Sequence, residues 1–149
     1  MKLLDPNVAE AREWIAKAVD DLESAQVLAG TGHEGNALYF GQQTAEKSLK
    51  AFLTAHARAF RKTHDLGELG EACAGIDPSM APLADAADVL TDYAWRLRYP
   101  GEPYEVEPGE VASMLELAGR VLDAVRTRIE GIGLHPDNEG PGGREWPEG

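Results

Sequence analysis

Residues 108–130 read PGEVASMLELAGRVLDAVRTRIE, and the fold turns on this stretch. Val111, Met114, Leu115, Ala118, Val121, Leu122, Val125 and Ile129 recur three and four residues apart. On a 3.6-residue helix they all face one side. Pro108 suits the first helical turn, where its missing N–H is no loss. So long an apolar face has to be laid against other helices, and the upstream sequence supplies them.

Asp5-Pro6 is a start signal, a capping side chain followed by proline. From it Val8, Ala11, Ile15, Ala18, Leu22, Ala25 and Leu28 predict a first helix over about residues 7–30, closed by Gly30-Thr31-Gly32. A second helix is expected from Gly35-Asn36 to about His56, with Leu38, Ala45, Leu49, Phe52 and Leu53 on its apolar stripe. Residues 57–63 carry no apolar period and read as a loop. Asp65 can cap a short third helix over 66–74, ended by Gly75 and Asp77-Pro78. A fourth helix is expected over about 80–97, burying Leu83, Ala87, Leu90, Tyr93 and Leu97 and turning Asp85, Asp88 and Asp92 to solvent. Tyr99-Pro100-Gly101-Glu102-Pro103 breaks it. No stretch alternates with period two, so no strand is expected. The expected fold class is all-α: an antiparallel helical bundle of four long helices plus one short helix, over residues 1–130. Residues 131–149, GIGLHPDNEGPGGREWPEG, are rich in Gly, Pro and acidic charge and read as a flexible tail holding Trp146.

With 149 residues, 43% of them hydrophobic, the chain has material for one core. No run of about 20 apolar residues is present, so no membrane span is expected. Residues 1–7 lack the apolar run of a secretory signal, and the expected location is cytoplasmic. One cysteine, Cys73, excludes an internal disulfide. His33, His56, His64 and His135 are scattered, so neither a metal site nor a cofactor is expected.

The net charge of -12 argues against broad nucleic-acid binding. Its distribution is uneven. Residues 47–64 hold five cations (Lys47, Lys50, Arg58, Arg61, Lys62), two histidines and no acid, and Arg96 and Arg98 follow the fourth helix; together these are half of the chain's 14 Lys and Arg. Such a cluster can create a local positive potential within a Debye length of about 8 Å, and phosphate is the anion that suits Arg forks and Lys point charges. Simple solvation, or compensation of a helix dipole, is the alternative for each cation taken singly. Gln43, Lys47 and Lys50 fall at i, i+4, i+7 and are expected to share a polar stripe. His64 can donate to phosphate, act as acid or base, or merely cap the third helix with its ring.

Four segments carry a family resemblance. They are WIAKAVDDLESA from Trp14, FGQQTAEKSLKAFL from Phe40, KTHDL from Lys62, and Tyr93 with Arg98-Tyr99-Pro100-Gly101. Together they resemble the HEPN family over roughly residues 8–130. The resemblance implies a helical bundle that pairs as a homodimer with a polar groove for nucleotide or RNA, often alongside a minimal nucleotidyltransferase in a toxin–antitoxin-like pair. Some members are metal-independent ribonuclease toxins using an R-x4–6-H motif. No histidine follows Arg98 at those spacings. Arg58 and His64 fit the motif by letter but lie in another segment, so an active ribonuclease is not expected. The leading reading is therefore a nucleotide-binding domain. Gln43, Lys47, Lys50, Arg61, His64, Arg96 and Arg98 would contact the nucleotide, with Tyr99 stacking on a base. Two alternatives stand beside it: a ribonuclease toxin with Arg98 and His64 meeting across the dimer groove, and a non-catalytic interaction partner.

Overall fold

A computed structural model of the chain describes residues 5–101 and 104–133. These residues form α1 (Pro6–Gly30), α2 (Glu34–Ala55), α3 (Leu66–Ile76), α4 (Ala81–Ala87) and α5 (Glu110–Gly133). A 3-10 turn, Pro78–Met80, precedes α4 and a 3-10 segment, Asp88–Ala94, continues it. No strand occurs among the described residues.

The local chemistry sets the boundaries. Asp5 accepts the Asn7 N–H at 2.7 Å and opens α1 ahead of Pro6. Residues 31–33 turn the chain straight into α2, so α1 and α2 pack as antiparallel neighbours. At the other end of α2, Ala57 adopts φ 56°, and the N–H groups of Ala57 and Arg58 donate to Thr54 and Leu53 carbonyls at 3.0 and 2.8 Å. This is a Schellman close carried by an alanine where glycine is the usual residue. Asp65 caps α3, accepting from Gly67 and Glu68 N–H.

The helix α2 is the centre of the bundle. It packs against α1, α5, α3 and the 3-10 segment and is buried on almost every side from Gly41 to Thr54. Leu38, Leu49, Phe52 and Leu53 meet Leu66 and Leu69 of α3, Leu90, and Val121, Val125 and Ile129 of α5 in one continuous core. Two glycines permit close approach: a Cβ on Gly41 would sit 2.8 Å from Leu115 Cδ2, and one on Gly70 would sit 2.8 Å from Ala84 Cβ. Cys73 lies fully buried on α3. Its thiol donates to the Leu49 carbonyl at 3.6 Å, and burial pushes its pKa up to about 12.

The all-α class stands, and within it the fourth helix is shorter than its sequence pattern implies. It is α-helical only to Ala87 and then tightens. The cause is the spacing of its apolar residues: Ala84, Ala87, Leu90 and Tyr93 are the buried positions, at a strict interval of three. An α-helix would rotate that row off the core, whereas three residues per turn keep it there. At the other end of the chain, α5 begins at Glu110, with Pro108 in the preceding turn, and runs to Gly133 past the expected boundary at 131. The remainder of the expected tail, with His135 and Trp146, lies outside the described residues, as do Glu102 and Pro103.

Candidate functional site

The expected polar stripe Gln43–Lys47–Lys50 is drawn largely into the bundle. Gln43 and Lys50 are buried, and Lys47 reaches sideways to α1, where Asp21 holds it at 2.5 Å. Burying an ammonium is tolerable only beside an opposite charge. For Lys50 that charge is Glu46, one turn back, at 2.8 Å. The Lys50 ammonium also lies 5.8 Å from the Trp14 ring centre and 5.7 Å from that of Phe60, which places it between α1 and the 57–65 loop.

Glu46 is the hub that the sequence reading overlooked. Its side chain is only 5% exposed, and four donors converge on it. Oε2 accepts from Lys50. Oε1 accepts from Gln42 at 3.0 Å, from Gln43 at 3.3 Å, and from Nδ1 of His64 at 2.8 Å. Burial pushes the Glu46 carboxyl up; hydrogen bonds from Lys50, His64 and Gln42, with the Lys50 charge, outweigh it and leave the group below its ordinary value. Gln42 Nε2 also donates to the His64 carbonyl at 3.1 Å, tying the loop to α2 by backbone as well as by ring.

The His64 ring does not cap α3; Asp65 does that. A carboxylate only accepts, so the contact with Glu46 puts a proton on Nδ1 of His64. In the neutral ring Nε2 then carries the lone pair, on a side chain that is 65% exposed. A carboxylate-oriented imidazole with its second nitrogen open can take a proton from a bound hydroxyl, or donate to an anion once protonated.

The remaining expected residues divide clearly. Arg61 pairs with Glu68 at 2.8 Å across the loop. Arg96 pairs with Asp92 at 3.1 Å and lies over the rings of Trp95 and Tyr104. The hydroxyls of Tyr93 and Tyr104 both donate to Glu110, which anchors the chain after the break to the start of α5. Among the described residues Arg98 has no carboxylate partner; its guanidinium carbon stands 3.9 Å from the ring centre of Tyr39 on α2. Tyr99 beside it is exposed. Tyr39 and Glu46 lie on one face of α2, two turns apart, about 10.5 Å at 1.5 Å per residue. Arg98 and His64 are thus placed along the same side of α2, reached from its two ends. Sequence reasoning missed Asp21, Tyr39, Gln42 and Glu46. The readable signal was Glu46 four residues ahead of Lys50, the favourable order for a helical ion pair.

A groove of about 740 Å³ between α3 and α4 is no rival for an anion. Asp65, Glu68, Glu71, Asp85 and Asp88 line it. Among the described residues, no group of three or more His, Cys, Asp or Glu side chains is arranged to hold a metal, and no helix is long and apolar enough to cross a membrane.

An all-helical chain with a central polar helix and a tethered histidine loop defines a class, and comparison with known proteins agrees. Residues 11–128 match the family model of the HEPN domain, and the chain belongs to the HEPN family. It is similar to TT1696 from Thermus thermophilus, whose crystal structure superposes with a TM-score of 0.66 at 29% identity, covering 78% of this chain and 96% of that one. It is similar also to ST0689, an archaeal HEPN homologue, with a TM-score of 0.64 at 26% identity over 80% and 97% of the two chains. A 56-residue stretch is 39% identical to MJ1304 of Methanocaldococcus jannaschii, a protein named as a candidate toxin; it covers 38% of this chain and only 37% of that protein.

Proposed function

We propose that this HEPN domain holds a nucleotide between Arg98, beside the start of α2, and the outward nitrogen of His64 once that ring is protonated, as the toxin-type half of a pair with a minimal nucleotidyltransferase. The observation that carries the reading is the difference in charge matching. Lys47, Lys50, Arg61 and Arg96 each have a carboxylate between 2.5 and 3.1 Å away, while Arg98 stands in no ion pair among the described residues. The paired cations hold the framework and Arg98 is left for a ligand. The net charge of -12 favours one small nucleotide over a long polyanion, whose repulsion grows with length. A homodimer would set two such faces beside each other, and sedimentation of the full chain tests that part. For the nucleotide, calorimetric titration with ATP and GTP is decisive. Binding that weakens at least about tenfold in Arg98→Ala supports the reading. Absence of binding at millimolar nucleotide, with the nucleotidyltransferase partner also present, removes it.

A second reading, metal-independent RNA cleavage, is favoured by the Glu46–His64 geometry. His64 Nε2 would accept the proton of an attacking 2′-hydroxyl. RNA incubated with wild type and with His64→Ala tests it: cleavage abolished by the substitution supports this role for His64, and cleavage that survives it excludes the role.

A further inference from the structure

Arg98 does more than stand unpaired. Its guanidinium carbon stands over the Tyr39 ring, 3.9 Å from the ring centre. Tyr39 is itself held, by an edge contact with Phe40 at a centroid distance of 5.4 Å, and by its place on the rigid α2. Arg98 is exposed, and its backbone N–H is fixed in a turn to the Trp95 carbonyl at 3.1 Å. The tyrosine ring therefore stands against the guanidinium, on an arginine that is itself exposed. A planar, weakly hydrated cation already stacked on an aromatic ring extends that ring's stacking surface. Tyr99, the next residue, is 64% exposed.

We infer that Arg98 on Tyr39, with Tyr99, is a platform on which a nucleobase stacks, while the phosphate attached to that base extends along α2 towards His64. The inference rests on the nucleotide reading above and adds the orientation of the ligand. The two ends of the site, Tyr39 and Glu46, are separated by about 10.5 Å along the helix, a span that a nucleoside with its phosphate chain covers. Stacking is indifferent to which base is presented, so the platform selects for a base that is free of its neighbours. The same chemistry is offered by a free nucleotide and by a base in an unpaired RNA strand.

Titration of the full chain with ATP, with inorganic tripolyphosphate and with a single-stranded RNA pentamer separates the contributions. ATP or the pentamer should bind about tenfold or more tightly than tripolyphosphate. In Arg98→Lys, which keeps the charge and loses the plane, and in Tyr39→Leu, which keeps apolar bulk, that advantage should vanish with tripolyphosphate affinity unchanged. A 2-aminopurine base in the ligand should be quenched by wild type and by neither variant. Preference for ATP over the pentamer assigns the platform to a free nucleotide, and the reverse to a strand. If nucleotides bind with no advantage over tripolyphosphate, or keep it in both folded variants, the platform is wrong and nucleotide binding survives. If nothing binds, the nucleotide reading falls and the platform with it.

Discussion

Two polar regions sit on the same helix and are built on opposite terms. Around Glu46 the charges are buried and matched: one carboxylate takes Lys50, His64, Gln42 and Gln43, and the 57–65 loop is fastened by it. Around Tyr39 the charge is exposed and, among the described residues, unmatched, with Arg98 resting on a ring instead of a carboxylate. In the interior an unpaired charge costs several kcal/mol, so Glu46 and Lys50 are committed to the fold, and only the exposed outer edge of His64 is left to face a ligand. At the surface the cost is small, and a cation can be kept open for a ligand. A basic cluster in a sequence therefore mixes two populations, and only the location of the acids sorts them.

The sharpest way to break this contrast is to remove the hub. Glu46→Ala leaves the buried Lys50 ammonium without its carboxylate and removes the acceptor shared by His64, Gln42 and Gln43, and should lower the unfolding free energy by about 3–5 kcal/mol in urea titrations. A loss below about 1 kcal/mol would mean that the network is not structural. Acid should act on the same group more gently. Its folded pKa lies below the ordinary value of 4.5, so its contribution is complete above that pH and is lost as pH falls through the lower folded value. Unfolding free energies measured from pH 6 to pH 3 should accordingly fall more steeply in wild type than in Glu46→Gln. Ala57 opens the fastened loop in a left-handed conformation. Ala57→Gly should therefore raise the thermal midpoint, by about 0.5–1 kcal/mol of stability. The smallest effect belongs to the second region: Arg98→Ala should leave stability within about 0.5 kcal/mol of wild type while weakening nucleotide binding. A large loss of stability there would place Arg98 with the framework.

Much of the fold was legible because α1, α2, α3 and α5 carry helical periods bounded by caps and breakers that act locally. The 80–97 segment misled because apolar residues three apart satisfy an α-helical reading over two turns, and only the whole row from Ala84 to Tyr93 betrays the tighter winding. The candidate site was legible in its cations and not in their partners. Asp21 precedes Lys47 by a whole helix, Glu68 meets Arg61 across a turn, and Tyr39 lies far along the chain from Arg98. Those pairings are products of packing. The omission of Glu46 was different: it stands directly before the acid-free window, and a window that starts at Lys47 hides it.

The fully buried sulfur of Cys73 gives the molecule a built-in clock. It is the chain's single cysteine, packed where α3 meets α2, with its proton retained far above neutral pH. A soluble disulfide reagent reacts with thiolate and so must wait until this seam comes apart. The rate of its reaction counts openings of the contact that carries the loop to His64, with no mutation or label added. Ligands that close the polar face should slow that clock, and denaturant should quicken it.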